Sequence, residues 1–336
     1  MHPWWVYAAF TAFVLVMLAL DLGVFNRKAH VVRPREAAVW TGVWVSLSLL
    51  FSVGVGHFMG RQAALEFLAG WLVEKALSID NIFVIVLIFG YFGVPARYQH
   101  RVLFWGILGA LVFRGLMIGV GSVLLERFHW VLYIFGAFLV YTGIRMMRQT
   151  EREMDPETAP VLRLVRRWAP VTGEYHGSRF IIKQPGDDGR MRRVLTPLFV
   201  VLITVETTDV IFALDSIPAV FAVTRDPFLV YTSNVFAILG LRSLYFLLAD
   251  VVQRFHLLKV GLGVVLVFVG AKMLAEDLVH VPTGVSLAVI ALVIAGSVVL
   301  SILFPKESEE PARRPLADSP PSDDPPPAPI ETTRDP

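Results

Sequence analysis

The chain has no cysteine and carries little charge for its length. Among its 336 residues, 17% are Asp, Glu, Lys or Arg, whereas apolar residues make up 55%. A soluble globular domain usually carries about 25% charged residues. The absence of cysteine excludes disulfides, thiolate metal sites and cysteine catalysis. The formal net charge of +2 is too small to favour a nucleic-acid partner.

Long apolar runs separated by clusters of charge predict a protein that crosses the lipid bilayer several times. The first run has no basic segment before it and no small-residue cleavage site, so we interpret it as a retained span. Because a transmembrane helix needs about 20 mostly apolar residues, the sequence predicts an all-α polytopic membrane protein with about nine spans. The predicted spans are 4–25, 37–59, 65–92, 101–123, 128–148, 194–222, 228–252, 257–274 and 283–304.

The distribution of basic residues predicts the orientation of these spans. The loops after the first, third, fifth and seventh spans, and the C-terminal tail, are rich in Arg and Lys, whereas the alternate loops are poor in them. Basic loops of membrane proteins lie in the cytoplasm. We therefore expect the N-terminus outside and the C-terminus in the cytoplasm.

Two longer segments lie outside the predicted spans. The Arg-rich loop 149–193 contains two short runs on either side of Pro185-Gly186-Asp187-Asp188-Gly189, which predicts a small hairpin on the cytoplasmic side. Residues 305–336 are rich in Pro, Asp, Glu and Ser and contain little that a core would bury. We expect them to form a disordered cytoplasmic tail.

A repeated pattern relates the two halves of the chain. Ser78–Val84 (SIDNIFV) aligns with Thr207–Ala213 (TTDVIFA), and one Arg follows each motif at nearly the same distance, Arg114 and Arg242. Further along, the segment that begins at Gly136 (GAFLVYTGIRM) matches the corresponding segment of the second half (GVVLVFVGAKM). Matches that share order and spacing indicate an internal repeat.

Each repeat unit contains three spans, so the second unit enters the membrane from the opposite side. The units are 64–148 and 194–274, with two helices before them in 1–63 and one after them in 283–304. Such inverted-topology repeats are typical of secondary transporters, whose sites lie near the bilayer midplane at the repeat interface. The pattern predicts a transporter but does not specify its substrate.

Carboxylates lie deep within the apolar runs. Asp80 is near the middle of its span, where a charged group costs at least about 2.5 kcal/mol, so it needs partners or a function. Pro218 lacks a backbone N–H, which predicts a kinked or broken helix and a free carbonyl at Leu214. Candidate metal ligands are Glu74, Asp80, Asn81, Glu206, Asp209 and Asp215. Further polar partners are Asp21, Ser78, Thr208, Arg114 and Arg242.

Carboxylate, amide and carbonyl oxygens suit a hard divalent cation such as Mn²⁺, Mg²⁺ or Ca²⁺. The alternative is that Asp80 and Asp209 pair with Arg114 and Arg242 and only lock helices together. The symmetry between the two units favours a functional role for the acids. For Lys75 we expect an ordinary position near a span end, with its ammonium group at the surface.

The motifs Glu74–Asn81 (EKALSIDN) and Val205–Ala219 (VETTDVIFALDSIPA) closely resemble the TerC family of integral membrane proteins, and within it the Alx-like branch. The resemblance extends from about Trp5 to Phe304. It implies an inner-membrane protein of a family named for tellurium resistance, whose members are linked to divalent-metal export, chiefly of Mn²⁺. It also implies that the acids matter for function: Glu74, Asp80, Glu206, Asp209 and Asp215, with Asn81 beside them.

The resulting hypothesis is a metal-ion exporter that is not an enzyme and needs no cofactor. One alternative is an intramembrane aspartyl protease that uses Asp80 and Asp209, although neither acid lies in a Gly-x-Gly-Asp motif. Another is a membrane scaffold in the metal or tellurite stress response, which recruits cytoplasmic proteins through loop 149–193. A different transported substrate, such as an amino acid or an oxyanion, is also open; so many acids suit an oxyanion poorly.

Overall fold

The computed structural model describes residues 3–20, 34–128, 130–148, 172, 175–185, 191–249, 257–279 and 281–304. Within these ranges it contains ten helices and one antiparallel hairpin. The helices are α1 Trp4–Leu20, α2 Pro34–Met59, α3 Arg61–Tyr91, α4 Ala96–Arg127, α5 Val131–Arg148, α6 Pro197–Phe221, α7 Pro227–Leu239, α8 Leu241–Leu248, α9 Leu258–Leu274 and α10 Thr283–Leu303. The strands are β1 Ile181–Pro185 and β2 Met191–Leu195. The predictions for Asp21 and for the tail 305–336 fall outside the described residues.

Several helices begin at proline. Proline suits the first turn of a helix because its missing N–H has no partner there in any case. Pro197 and Pro227 occupy the first turns of α6 and α7, and Pro282 is the N-cap of α10. The Asp226 carboxylate caps α7 by accepting a hydrogen bond of 2.9 Å from the Phe228 backbone N–H. These residues determine where the helices begin within the apolar runs.

Each of the nine predicted spans coincides with one helix or, for 228–252, with the bent pair α7 and α8. Among the described residues, five helices are long and apolar enough to cross a bilayer, and the bent pair would be a sixth. The five are α2, α4, α5, α6 and α10. Helix α3 has 31 residues but carries several charges, and α1 and α9 have 17 residues each, at the short end of the spanning range. The structure is thus a polytopic helical membrane protein, and the full count of nine stays a prediction.

The sequence predicts a kinked or broken helix at Pro218, and the helix is not broken there. Helix α6 continues through Pro218 to Phe221, and the Pro218 carbonyl accepts a hydrogen bond of 3.0 Å from the N–H of Ala222. Because Pro218 lies in the last turn, it removes one backbone hydrogen bond without interrupting the ladder before it. The break lies instead at Gly240, where α7 and α8 meet at an angle of 41°.

The predicted repeat units interlock rather than pack side by side. Helices α3 and α6, the first of each unit, are in contact with each other. The second helix of each unit packs on the first helix of the other unit: α4 on α6, and α7 on α3. The third helices, α5 and α9, form the most extensive helix pair in the structure. Most of the core therefore lies between units.

Glycines allow α5 and α9 to cross at very short distance. A Cβ atom on Gly143 would lie 2.6 Å from the Gly263 carbonyl oxygen, and one on Gly270 would lie 2.6 Å from the Gly136 carbonyl oxygen. No real side chain fits at such a separation, so the backbones touch directly. Small residues at helix interfaces are the usual way in which helices associate in lipid, where no hydrophobic force drives them together.

The remaining helices surround this core. Helix α2 packs on α3 and α8, and α10 packs on α9 and α3. Helix α1 is joined to the others by a cluster of rings in which Phe51 of α2 contacts Phe10, Phe67 and Phe236 at centroid distances of 4.8–5.5 Å. The hairpin β1–β2 is located where the sequence predicts one, directly before α6.

The α5–α9 crossing leads to a stability prediction. Gly143→Ala adds a methyl group where the Gly263 carbonyl lies, so we expect it to lower the free energy of unfolding by about 1–3 kcal/mol, as overpacking does. Thermal unfolding of the detergent-solubilised protein measures the effect.

The matched control is Gly119→Ala on α4, where an added Cβ would meet nothing within 4 Å. Alanine is the better helix former by about 1 kcal/mol, so this variant should be as stable as the parent or more so. Equal loss of stability in both variants would contradict the close crossing.

Candidate functional site

Arg114 of α4 is the centre of a buried polar cluster. Its guanidinium is only 2% exposed and forms ion pairs with Glu74 of α3 and Asp209 of α6. The Asp209 pair is bidentate, with Nε to Oδ2 at 3.1 Å and Nη2 to Oδ1 at 2.9 Å. Glu74 is fully buried and contacts Nη1. Bidentate, charge-assisted hydrogen bonds of this kind combine strength with fixed geometry.

Asn234 of α7 and Ser216 of α6 complete the cluster. The Asn234 amide donates to Glu74 Oε2 at 3.0 Å, and its carbonyl oxygen accepts from Arg114 Nη1 at 3.3 Å. Ser216 Oγ accepts from the same nitrogen at 3.4 Å. Both carboxylate oxygens of Glu74 thus have donors. Four helices, α3, α4, α6 and α7, contribute side chains to this single network.

The sequence leaves open which arginine each acid contacts. In the structural alternative, Asp80 and Asp209 pair with Arg114 and Arg242. The structure contains one such pair, in which Arg114 of the first unit binds Asp209 of the second, and Arg114 also binds Glu74 of the first. The pair forms between the units because the interlocked packing brings α4 against α6. Two carboxylates share one guanidinium, which leaves the trio with a net negative charge.

A small cavity lies beside this cluster. Its volume is about 30 Å³, enough for one water molecule or one small ion. Five of the predicted polar residues line it: Asn81, Glu206, Thr208, Asp209 and Arg242. Its remaining walls are mainly apolar side chains of α3, α4, α6 and α8. Asp209 therefore belongs to both features, with its carboxylate bound by Arg114 and its side chain at the cavity wall.

Glu206 presents an unsatisfied oxygen in this region. Its Oε2 atom is buried, and no donor among the described residues reaches it. The carboxylate lies against Gly109 of α4, where any Cβ atom would overlap it. A buried polar atom without a hydrogen bond is costly, and such an atom in a native structure needs an explanation. A bound cation or proton would satisfy it.

Asp80 and Asp215 belong to a different group of side chains. Asp80 interacts electrostatically with Asp215 of α6 and with Lys259 at the start of α9. Asp215 in turn interacts with the Thr142 hydroxyl and the Arg145 guanidinium of α5. The six predicted ligands therefore do not converge on one point in this conformation. Across the described ranges, no three Asp, Glu or His side chains are arranged to hold a metal ion together.

Two of the predicted polar partners bond to their own helices. Ser78 Oγ donates to the Glu74 carbonyl at 2.7 Å, and Thr208 Oγ1 donates to the Thr204 carbonyl at 2.8 Å. Each hydroxyl keeps its acceptor lone pairs available. Thr208 is at the cavity wall, so its oxygen can still bind a ligand there.

Lys75 has a structural role that the sequence prediction missed. Its ammonium group is not at the surface; it donates a hydrogen bond of 3.2 Å to the carbonyl of Ala237 near the end of α7. A Cβ atom on Gly240, at the break, would lie only 2.7 Å from Lys75 Nζ. A cation at a helix C-terminus stabilises the unpaired carbonyls there. Glu74 and Lys75 are thus adjacent in the sequence but belong to two neighbouring sites. Glu74 belongs to the arginine cluster, and Lys75 belongs to the helix break.

Asn234 and Ser216 are the cluster members that sequence analysis missed. The available signal was the run Thr232-Ser233-Asn234, three polar residues within an apolar helix, all of them fully buried in the structure. Polar side chains inside a membrane span usually face the interior of the bundle and have partners there. Ser216 follows Asp215 directly, but on a helix the two side chains point in different directions.

The chain matches known proteins over most of its length. A family model described as integral membrane protein TerC family matches residues 59–309. A Myxococcus xanthus protein, "Uncharacterized membrane protein STKORF319", is 53% identical over 297 residues, which are 88% of this chain and 92% of that protein. "Putative membrane-bound redox modulator Alx" of Escherichia coli (strain K12) is 48% identical over 293 residues, 84% of this chain and 90% of that protein. No solved structure matches the chain significantly.

The buried ion pairs lead to a prediction about assembly. Arg114→Met removes a cation that is bound to two carboxylates, one of them fully buried, so we expect a loss of about 3–5 kcal/mol of stability, the usual cost of breaking a buried pair. Thermal unfolding in detergent measures the loss. Arg127→Met removes an exposed arginine at the end of the same helix and should have little effect. A stable Arg114→Met protein would mean that the cluster does not hold α3, α4 and α6 together.

Proposed function

The chain belongs to the TerC family of integral membrane proteins, and on that basis we propose that it is a secondary transporter that exports a divalent metal ion, with Mn²⁺ as the leading ion, across the inner membrane. The observation that carries this proposal is the buried, unsatisfied oxygen of Glu206 beside a cavity with room for one ion. Around the same cavity lie further oxygens, from Asn81, Thr208 and Asp209. This all-oxygen donor set suits Mn²⁺, Mg²⁺ or Ca²⁺.

The charge of the site favours a cation over an anion. Three carboxylates, those of Glu74, Asp209 and Glu206, lie near two guanidinium groups, those of Arg114 and of Arg242 at the cavity wall, so the acids outnumber these cations by one. An ion entering the cavity would meet the Glu206 carboxylate first, because Asp209 is engaged by Arg114. Asp209 would then have to exchange part of its contact with the guanidinium for contact with the ion. Asn234 and Glu74 keep Arg114 in place during such an exchange.

We propose nine membrane spans and an inverted repeat for this transporter. The packing supports the repeat, because α4 on α6 and α7 on α3 are equivalent contacts when the two units are exchanged. The α5–α9 crossing supports it as well. In the sequence alignment Gly136 corresponds to Gly263 and Gly143 to Gly270, and the observed contacts Gly136–Gly270 and Gly143–Gly263 interchange under that correspondence. An axis of two-fold pseudo-symmetry between α5 and α9 would produce this arrangement.

The alternative functions receive less support. An aspartyl protease dyad requires two carboxylates that share a proton, whereas Asp209 accepts hydrogen bonds from Arg114 and Asp80 lies with Asp215 and Lys259. A scaffold that acts through loop 149–193 would not need the buried acids. The redox role stated in the name of the E. coli relative cannot involve thiols in this chain, because it contains no cysteine.

Transport by the purified protein tests the proposal directly. In liposomes that contain a Mn²⁺-sensitive dye, Glu206→Gln should lower the initial rate of Mn²⁺ movement by about tenfold or more, a loss usual for residues that bind or support a metal. Gly109→Ala should have a similar effect, because the added methyl group displaces the Glu206 carboxylate. Parallel measurements with Mg²⁺ and Ca²⁺, with and without a pH gradient, identify the substrate and the coupling ion.

Two variants of α4 serve as controls. Glu126→Gln removes an exposed acid, and Gly115→Ala adds a methyl group that makes only an ordinary contact of 3.5 Å with Tyr231. Both should transport like the parent protein. Normal Mn²⁺ movement by Glu206→Gln would eliminate Glu206 from the ion site, and absence of movement in the parent protein under every gradient would refute the transporter.

The orientation is testable because the chain has no cysteine of its own. Single cysteines are introduced at Leu278 in the turn after α9, which is 86% exposed, and at Met191 in the hairpin, which is 65% exposed. In intact cells a membrane-impermeant maleimide should label Leu278→Cys, and it should label Met191→Cys only after the membrane is opened. The reverse pattern would invert the proposed topology, and labelling of both from outside would refute it.

A further inference from the structure

A groove rich in basic residues lies beside the hairpin, at the N-terminal end of α6. It has a volume of about 990 Å³ and contains three Arg or Lys side chains and a histidine, and none of the described residues that line it is acidic. We call it the basic groove. Its lining residues are His176, Gly177, Arg179, Ile181, Ile182, Lys183, Gln184 and Arg193.

The strand register places the charges of the hairpin on defined faces. Lys183 and Arg193 are paired across the two strands and therefore point to the same side, together with Ile181. Ile182 and Val194 are paired on the opposite side and are buried. Arg192 is paired with Gln184 and points to the other side from Arg193. Gln184 lines the basic groove, but Arg192 is not among its lining residues.

Hydrogen bonds hold the hairpin against the ends of the membrane helices. One residue, Thr196, separates β2 from α6, and its hydroxyl donates to the carbonyl of Arg179 at 2.7 Å. Tyr175 donates to the carbonyl of Phe92, after the end of α3, at 2.7 Å. Arg101 of α4 donates to Ser178 Oγ at 2.6 Å. The basic groove is thus fixed at the level where the apolar helices α4 and α6 enter the bilayer.

Apolar side chains are exposed beside these charges. Ile181 is 49% exposed and Met191 is 65% exposed. Other residues of the same small hairpin are buried and form its core. Exposed apolar groups next to Arg and Lys are typical of surfaces that lie in the interface between headgroups and acyl chains. On a hairpin that faced water, these exposed apolar side chains would gain nothing from their contact with the solvent.

We propose that the basic groove binds the phosphate headgroup of an anionic phospholipid from the adjacent leaflet. Arg179, Lys183 and Arg193 supply the positive charge, and Ile181 contacts the glycerol and upper acyl region. The bound lipid anchors the hairpin, and through Thr196 it fixes the start of α6, the helix that carries Glu206 and Asp209. The proposal rests on the membrane position of the chain and not on metal transport.

Lipid titration of the purified full-length protein tests this assignment. Thermal unfolding in a neutral detergent is measured while phosphatidylglycerol or phosphatidylcholine is added. We expect phosphatidylglycerol to raise the unfolding temperature in a saturable manner and phosphatidylcholine to have little effect. Arg193→Gln should weaken the apparent affinity for phosphatidylglycerol about fivefold, the change expected for one basic residue at an anionic membrane surface.

Arg192→Gln is the matched control, since it removes the same charge from the neighbouring residue on the other face of the strand. It should weaken phosphatidylglycerol binding clearly less than Arg193→Gln. Unfolding temperatures without added lipid show whether either variant has lost stability by itself. Equal effects of the two substitutions, or equal stabilisation by the two lipids, would overturn the proposal. Saturable stabilisation by inorganic phosphate or by a short RNA that matches phosphatidylglycerol would also overturn it, because the ligand would then not be a lipid.

Discussion

The fold depends on one buried cation, the Arg114 guanidinium, and on the two carboxylates that it holds. Placing a charged group in a membrane interior costs free energy, and this cost is reduced only where opposite charges meet with good geometry. Glu74, Asp209 and Arg114 come from three helices, so each helix has to present its charge at the same depth and in the same direction. The ion pairs therefore fix the register among α3, α4 and α6, as the close glycine contacts do between α5 and α9.

That register brings α4 close to α6 and determines the neighbouring cavity. Where the two helices approach, Gly109 leaves room for the Glu206 carboxylate, and no larger residue would. One turn further along α6, Asp209 is engaged by Arg114. The two acids thus lie on one helix face but in different electrostatic settings: Asp209 is neutralised by its partner, and Glu206 keeps an oxygen without a donor. The acid whose oxygen lacks a donor, Glu206, therefore lies at the cavity, whose lining also includes Arg242.

The helices and the candidate site residues could be predicted from the sequence better than the contacts that those residues make. The apolar runs fix the helix positions because burial in lipid requires them, and Asp80 and Asp209 are conspicuous because charge is rare there. The periodicity of a helix shows which residues share its face but not which neighbouring helix that face contacts. The sequence therefore leaves the arginine partner of Asp209 open, whereas the interlocked units bring Arg114 to it. For the same reason Lys75 was expected at the surface, although the end of α7 lies beside it.

In the proposed transporter, Arg114 would also limit how an ion passes through the site. A guanidinium cannot lose its proton in a protein, so its charge cannot be switched off to release Asp209. For an ion to replace Arg114 on Asp209, Arg114 would have to turn toward Glu74 and Asn234, which already hold its Nη1 group, or move with α4. In the first case the two carboxylates divide between two cations, and α3 and α6 are no longer tied together through one. The contact that stabilises the bundle is then weakened by the ligand itself. A transporter that changes conformation on binding requires this coupling, because a ligand shifts an equilibrium only by binding one state better than the other.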